Sequence, residues 1–261
     1  MMHADARRVR GLLLDLDGVV HVRGAVLPGS LEAIAKLRRS RLPFKFVTNT
    51  TRRPLARIVA NLAALGLDVT RDDVYTPAAL AHDYLRRGNL HPFLVVHPEL
   101  REDFQELPSG GTEAVVVGDA GEFFTYDLLS EAYRKILRGA PFLALARNKN
   151  FRDQDGELSL DAGAFVAGLE YASGREAIVL GKPAPMFFAL ALQGLGWTAE
   201  DAAMIGDDAE ADVEGAMAAG LSGVLVRTGK YRAGDEMRLK KPPTATAKDL
   251  NEAVDLLLGW A

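Results

Sequence analysis

"GLLLDLDGVVH", residues 11–21, runs three leucines into two carboxylates, Asp15 and Asp17, just ahead of a glycine. A segment apolar on both faces belongs in the middle of a parallel sheet, where both sides are covered. An acid at the end of such a strand needs a cation, hydrogen-bond donors or solvent, because an uncompensated carboxylate resists leaving water. Its partners must come from elsewhere in the chain.

Working outward, "PGSLEAIAKLRRSRL" begins with a helix-start signal at Pro28–Ser30 and repeats apolar residues Leu31, Ile34, Ala35 and Leu37 at helical spacing. "PFKFVTNT" reads as a second strand, "RRPLARIVANLAALGL" as an amphipathic helix ending at Gly66, and "DDVYTP" as a short strand or bend. The rhythm returns late in the chain with "AIVLGKP", "AAMIGDD" and "SGVLVRTG" as strands and "PMFFALALQGLG" and "ADVEGAMAAG" as helices. Alternating strands and helices predict an α/β fold with a doubly wound parallel sheet, whose ligands bind at the carboxyl ends of its strands. Residues 78–176 lie between the two halves and carry their own strands and helices, among them "AVVVGD", "FLALAR" and "YDLLSEAYRKILRG". That stretch is too long for a crossover, so residues 1–77 and 177–261 are expected to form the core and 78–176 a second folded unit. "KKPPTAT" reads as a loop before the last helix, "DLNEAVDLLLGW".

The totals narrow the class. The chain has 261 residues, 48% of them hydrophobic, which is ordinary for a globular protein. A formal net charge of -4 provides no broad basic field, so nucleic acid is not expected as a partner. With no cysteine, thiolate catalysis, disulfides and cysteine-ligated metals are excluded. No run reaches the ~18 apolar residues of a membrane helix and "MMHADARRVRG" has no apolar signal segment, so a soluble cytoplasmic protein with no membrane partner is expected.

Polar residues follow the strands at four places: Asp15 and Asp17, Thr48 and Asn49, Lys182, and Asp207 and Asp208. Singly each has an ordinary reading as a helix cap, a turn or a solvated side chain. Together, at one edge of one sheet, they suit phosphoryl transfer. Asp15 and Asp207 can hold Mg2+, a hard cation that prefers carboxylate and water oxygens. The cation makes Asp15 tolerable at the strand end, and Asp15 can attack phosphorus as the nucleophile. Asp17, in the following turn, can protonate the leaving oxygen and then take a proton from water. Thr48 and Lys182 can neutralise charge on the transferring oxygens.

These stretches, "DLDGV", "TN", "GKP" and "GDDAEAD", resemble in order and extent the four motifs of the haloacid dehalogenase superfamily phosphatases. The short interval before Thr48 and the long one from Thr48 to Lys182 resemble the subfamily with an α/β cap inserted between the second and third motifs. The resemblance implies Asp15 as nucleophile, Asp17 as acid/base and as a magnesium ligand through its carbonyl, and Asp207 as a further ligand. It implies that Asp208 and Asp212 orient Lys182 or metal-bound water. It also implies that Asn49 and the cap residues Arg147, Asn148 and Lys149 contact the substrate, a small phosphorylated metabolite, and that two copies pair through the cap. Since the chain keeps an aspartate at position 17, hydrolysis is expected; the alternative is a non-catalytic protein that binds phosphorylated ligands or partners on the same fold. His21, Trp197 and Trp260 read as packing or surface residues. Lys230, Tyr231 and Arg232 read as lining an interface or the site's outer edge.

Overall fold

A computed structural model describes residues 9–107, 110–152 and 157–259; Trp260 lies outside them. In chain order the elements are β1 (Gly11–Asp15), β2 (His21–Val22), β3 (Ala25–Val26), α1 (Ser30–Ser40), β4 (Phe44–Val47), α2 (Leu55–Ala64), β5 (Val74–Tyr75), α3 (Pro77–Arg87), β6 (Leu90–Val95), β7 (Thr112–Val117) and α4 (Tyr126–Leu137). There follow β8 (Phe142–Ala144), β9 (Asn150–Arg152), β10 (Leu158–Leu160), α5 (Ala162–Ser173), β11 (Ile178–Val179), α6 (Pro185–Leu195), β12 (Ala202–Gly206), α7 (Gly215–Ala218), β13 (Ser222–Val226), β14 (Ala245–Ala247) and α8 (Leu250–Leu258). Among the described residues no helix is long and apolar enough to cross a membrane.

The chain divides into two compact units, one made of the described parts of Met1–Thr48, Val59–Tyr75 and Lys182–Ala261, the other of Asn49–Ile58 and Thr76–Gly181. The first is built on a six-stranded sheet in the order β14-β13-β12-β1-β4-β5, parallel throughout. Every residue of β1, β12 and β13 is buried, as continuous apolar runs covered on both faces should be. Leu12, Leu13 and Leu14 have no exposed surface, each contributing roughly 2–3 kcal/mol of burial. Helices α1 and α8 pack on each other, as do α6 and α7. The chain steps from β1 to β4 and β5 on one side and returns to β12, β13 and β14 on the other, so strand order reverses at β1. That reversal opens a crevice at the carboxyl ends, the usual ligand position of an open α/β sheet.

The second unit has a four-stranded parallel sheet in the order β11-β8-β7-β6 and a separate antiparallel pair, β9 with β10. Its core gathers Val95, Val115 and Val117 from the sheet with Ile136, Val166 and Leu169 from α4 and α5.

Three local expectations need correction. "AIVLGKP" supplies a strand, but β11 pairs with β8 in the second unit's sheet and not in the core sheet. Two apolar residues carry no information about which sheet they join. The last two residues of "KKPPTAT", expected within a loop, begin β14, since Ala245, Thr246 and Ala247 pair with Val224, Leu225 and Val226. Three residues after a proline pair are too few to show a period. On α1 the buried face is Ser30, Ala33, Ile34 and Leu37, while Leu31 is exposed. Ser30 is tolerated inside because its hydroxyl donates to the Val19 carbonyl.

Candidate active site

Asp15 ends β1, Thr48 follows β4 and Asp207 follows β12, so three neighbouring strands deliver polar side chains to the crevice. The register sets them level: Asp15 lies opposite Val47, and Leu14 opposite Ile205, one residue before Gly206. Asp15, Thr48, Lys182, Asp207 and Asp212 are all buried, with exposures of 5%, 3%, 3%, 1% and 1%. Lys182 does not arrive at the end of a core strand as expected; it comes in from the loop between β11 and α6. Its ammonium donates to Asp15 Oδ1 and, at 2.6 Å, to Asp212 Oδ1.

Asp212 is carried by a widened helical turn, Ala209–Glu214, of the kind frequently found at functional sites. Asp212 Oδ2 accepts from the Asp208 amide at 3.1 Å, so both of its oxygens are engaged. Asp208 caps the same turn by accepting from the Ala211 amide and also pairs with the Lys230 ammonium at 3.3 Å. Asp17 stands apart from this buried group: its side chain is 61% exposed and lies 3.4 Å from His21 Nδ1.

The charge balance is uneven. Asp15, Asp207 and Asp212 each offer an oxygen within 4.8 Å of the others, against the single Lys182 ammonium between two of them. Burial pushes the Asp15 carboxyl well above the usual carboxylate range, with Lys182 opposing and Asp212 and Asp207 adding to the shift. Burial, reinforced by Asp212, lifts Asp207 to about 6. Burial disfavours the charged form of Lys182 too, yet Asp15 and Asp212 outweigh it and its pKa rises. Lys182 therefore stays charged, and even with Lys230 paired to Asp208 the acids of the site outnumber its ammonium groups. Asp207 Oδ1 is moreover buried with no hydrogen-bond partner. Hard oxygen donors, excess negative charge and an orphaned carboxylate oxygen fit a divalent cation of the magnesium kind.

Asn49, Arg147, Asn148 and Lys149 belong to the second unit. There Arg147 pairs with Glu170 at 2.6 Å, and the carbonyls of Asn148 and Lys149 accept from the amides of Gly163 and Asp161. Lys149 itself is exposed.

Gly18, Thr228 and Gly229, which the sequence does not single out, complete the site together with Lys230, expected at its outer edge. Gly18 has φ +91°, and a Cβ there would fall 1.9 Å from Asp207 Oδ2. Thr228, Gly229 and Lys230 follow β13 and reach both Gly18 and Asp207. The rule that picked out Thr48, polar residues just past a buried strand, applies equally to "SGVLVRTGK" and would have found them.

Acids and a buried ammonium meeting where strand order reverses, with a buried threonine just past the neighbouring strand, define an α/β enzyme whose chemistry sits at one edge of its sheet. The sequence model described as haloacid dehalogenase-like hydrolase matches residues 12–108, and a second, HAD-hydrolase-like model matches residues 179–253. The chain is 40% identical over 255 residues, 98% of each sequence, to human haloacid dehalogenase-like hydrolase domain-containing protein 2. It is also 40% identical to human phospholysine phosphohistidine inorganic pyrophosphate phosphatase, covering 97% of this chain and 96% of that protein. Among solved structures, 4-nitrophenylphosphatase from Thermotoga maritima superposes with a TM-score of 0.85 at 28% identity, covering 97% of this chain and 99% of the other. The p-nitrophenyl phosphatase from Archaeoglobus fulgidus gives 0.86 at 26% identity, covering 95% and 99%. The chain belongs to the haloacid dehalogenase-like hydrolase family.

Proposed function

We propose that this hydrolase is a magnesium-dependent phosphatase that cleaves a small phosphomonoester through an aspartyl-phosphate on Asp15. The observation that carries the reading is the Lys182 ammonium held between Asp15 and Asp212 beside the orphaned oxygen of Asp207. The phosphatase names of one close relative and of two structural neighbours support the reaction class.

In the first step an Asp15 oxygen attacks phosphorus, the bond from phosphorus to the alcohol oxygen breaks, and the Asp17 proton passes to that oxygen. In the second step the Asp17 carboxylate takes a proton from water, whose oxygen attacks the same phosphorus. The bond from Asp15 to phosphorus breaks, releasing inorganic phosphate and restoring both acids. Exposure of the Asp17 side chain suits proton exchange with the departing alcohol and then with the incoming water. Lys182 and Thr48 stabilise charge on the transferring oxygens, and Asp212 holds Lys182 in place. Asp15, Asp207 and the Asp17 carbonyl would hold Mg2+, which would supply positive charge that keeps Asp15 and Asp207 ionised and offsets charge on the phosphoryl group. The second unit acts as a cap, with Asn49, Arg147, Asn148 and Lys149 meeting the leaving group, and two copies pair through it.

Hydrolysis of p-nitrophenyl phosphate with and without Mg2+ tests the activity. Asp15→Asn should abolish turnover while the circular dichroism spectrum is kept; undiminished turnover in that variant would overturn the nucleophile. Lys149→Ala should change the relative rates on a panel of phosphate esters, and an equal loss on all of them would remove the specificity role.

A further inference from the structure

The geometry points to Thr228–Gly229–Lys230 as a clamp that aims the Asp207 carboxylate, so that these three are positioning residues for magnesium. The inference rests on the reading of Asp207 as a metal ligand. Four contacts carry it. The Lys230 amide donates to Asp207 Oδ2 at 2.6 Å, which occupies that oxygen and leaves Oδ1 without a partner. The Thr228 hydroxyl donates to the Gly18 carbonyl at 2.5 Å. Gly229 has φ +54°, and a Cβ there would lie 2.0 Å from Asp207 Oδ2 and 2.5 Å from Gly18 Cα. A Cβ on Gly18 would likewise fall 1.9 Å from the same Asp207 oxygen.

A carboxylate on a short side chain rotates unless something fixes it, and partners of ligating carboxylates are a recognised means of tuning a metal. Here the amide fixes one oxygen and two bare α-carbons close over it, so the other oxygen is the one presented. Since Thr228 grips the carbonyl of Gly18, the clamp also ties the Asp17–Gly18 turn to Asp207 across the sheet edge. The segment thus sets the distance between the acid/base turn and the ligand. The Lys230 side chain is not needed for this, as its ammonium points to Asp208 and its backbone makes the contact.

The test is calorimetric titration of Mg2+ into the full-length protein, with melting curves in EDTA as the control for folding. Gly229→Ala and Thr228→Val should each weaken magnesium binding by about 10–100-fold, the range typical for groups that support metal ligands. The melting temperature of Thr228→Val without metal should remain near that of the parent, and Thr228→Ser should restore binding. If Gly229→Ala fails to fold, Thr228→Val against Thr228→Ser decides. Parental affinity in folded Thr228→Val would overturn the clamp and leave the reading of Asp207 standing. A parent that binds no Mg2+ would overturn both.

Discussion

Lys182 is the residue on which the site's electrostatics turn. Removing one partner of a buried ion pair leaves its mate uncompensated, at a cost of roughly 3–5 kcal/mol, and here two carboxylates would be left facing each other. Lys182→Met should therefore lower the melting temperature sharply in EDTA, and a melting curve unchanged from the parent would refute that weight. Asp207 gives a pH signature. Its folded pKa of about 6 lies above the ordinary value of 3.8, so the native state favours its protonated form. Stability from this group is complete below about pH 4 and is lost as pH rises through about 6. Asp15 shifts in the same direction. Metal-free protein should accordingly melt at lower temperature at neutral pH than in mild acid, while the stabilisation given by Mg2+ should grow over the same interval. Melting curves at several pH values, with EDTA or with Mg2+, check both signs.

At the level of the element, legibility followed periodicity. β1 and β12 announce themselves as continuous buried runs of five residues, and the long helices because their burial repeats over enough residues to fix a period. β11 and β14 do not, because two or three residues can join any available edge. The acids of "DLDGV" and "GDDAEAD" were readable as a constellation since each follows a buried strand. The turn that carries Asp212 back to Lys182 was not, because the widening depends on what packs around it. Caps supplied from afar escape local reading too. The amide of Leu55 at the start of α2 is met by both oxygens of Asp103, at 3.1 and 2.9 Å, 48 positions further on. Such a carboxylate satisfies an orphan donor and complements the helix dipole. Asp103→Ala should cost about 1 kcal/mol by analogy with N-cap removal, read as a fall of a few degrees in melting temperature.

For the molecule as a whole, the groups that meet at the site come from position 15, from 182 and from 207 to 212, so a cation bound there crosslinks distant stretches of chain. A ligand that binds only the folded state stabilises it by about 2.7 kcal/mol at a hundred times its dissociation constant. Saturating Mg2+ should therefore raise the melting temperature of the parent and leave Asp207→Asn unmoved; equal gains in both would place the ion elsewhere. The six-stranded sheet has one more property with a bearing on the molecule in solution. Its outermost members, β5 and β14, are two and three residues long. So brief a margin offers a foreign strand almost no main-chain groups to zip onto, which guards this protein against edge-to-edge aggregation when it is crowded.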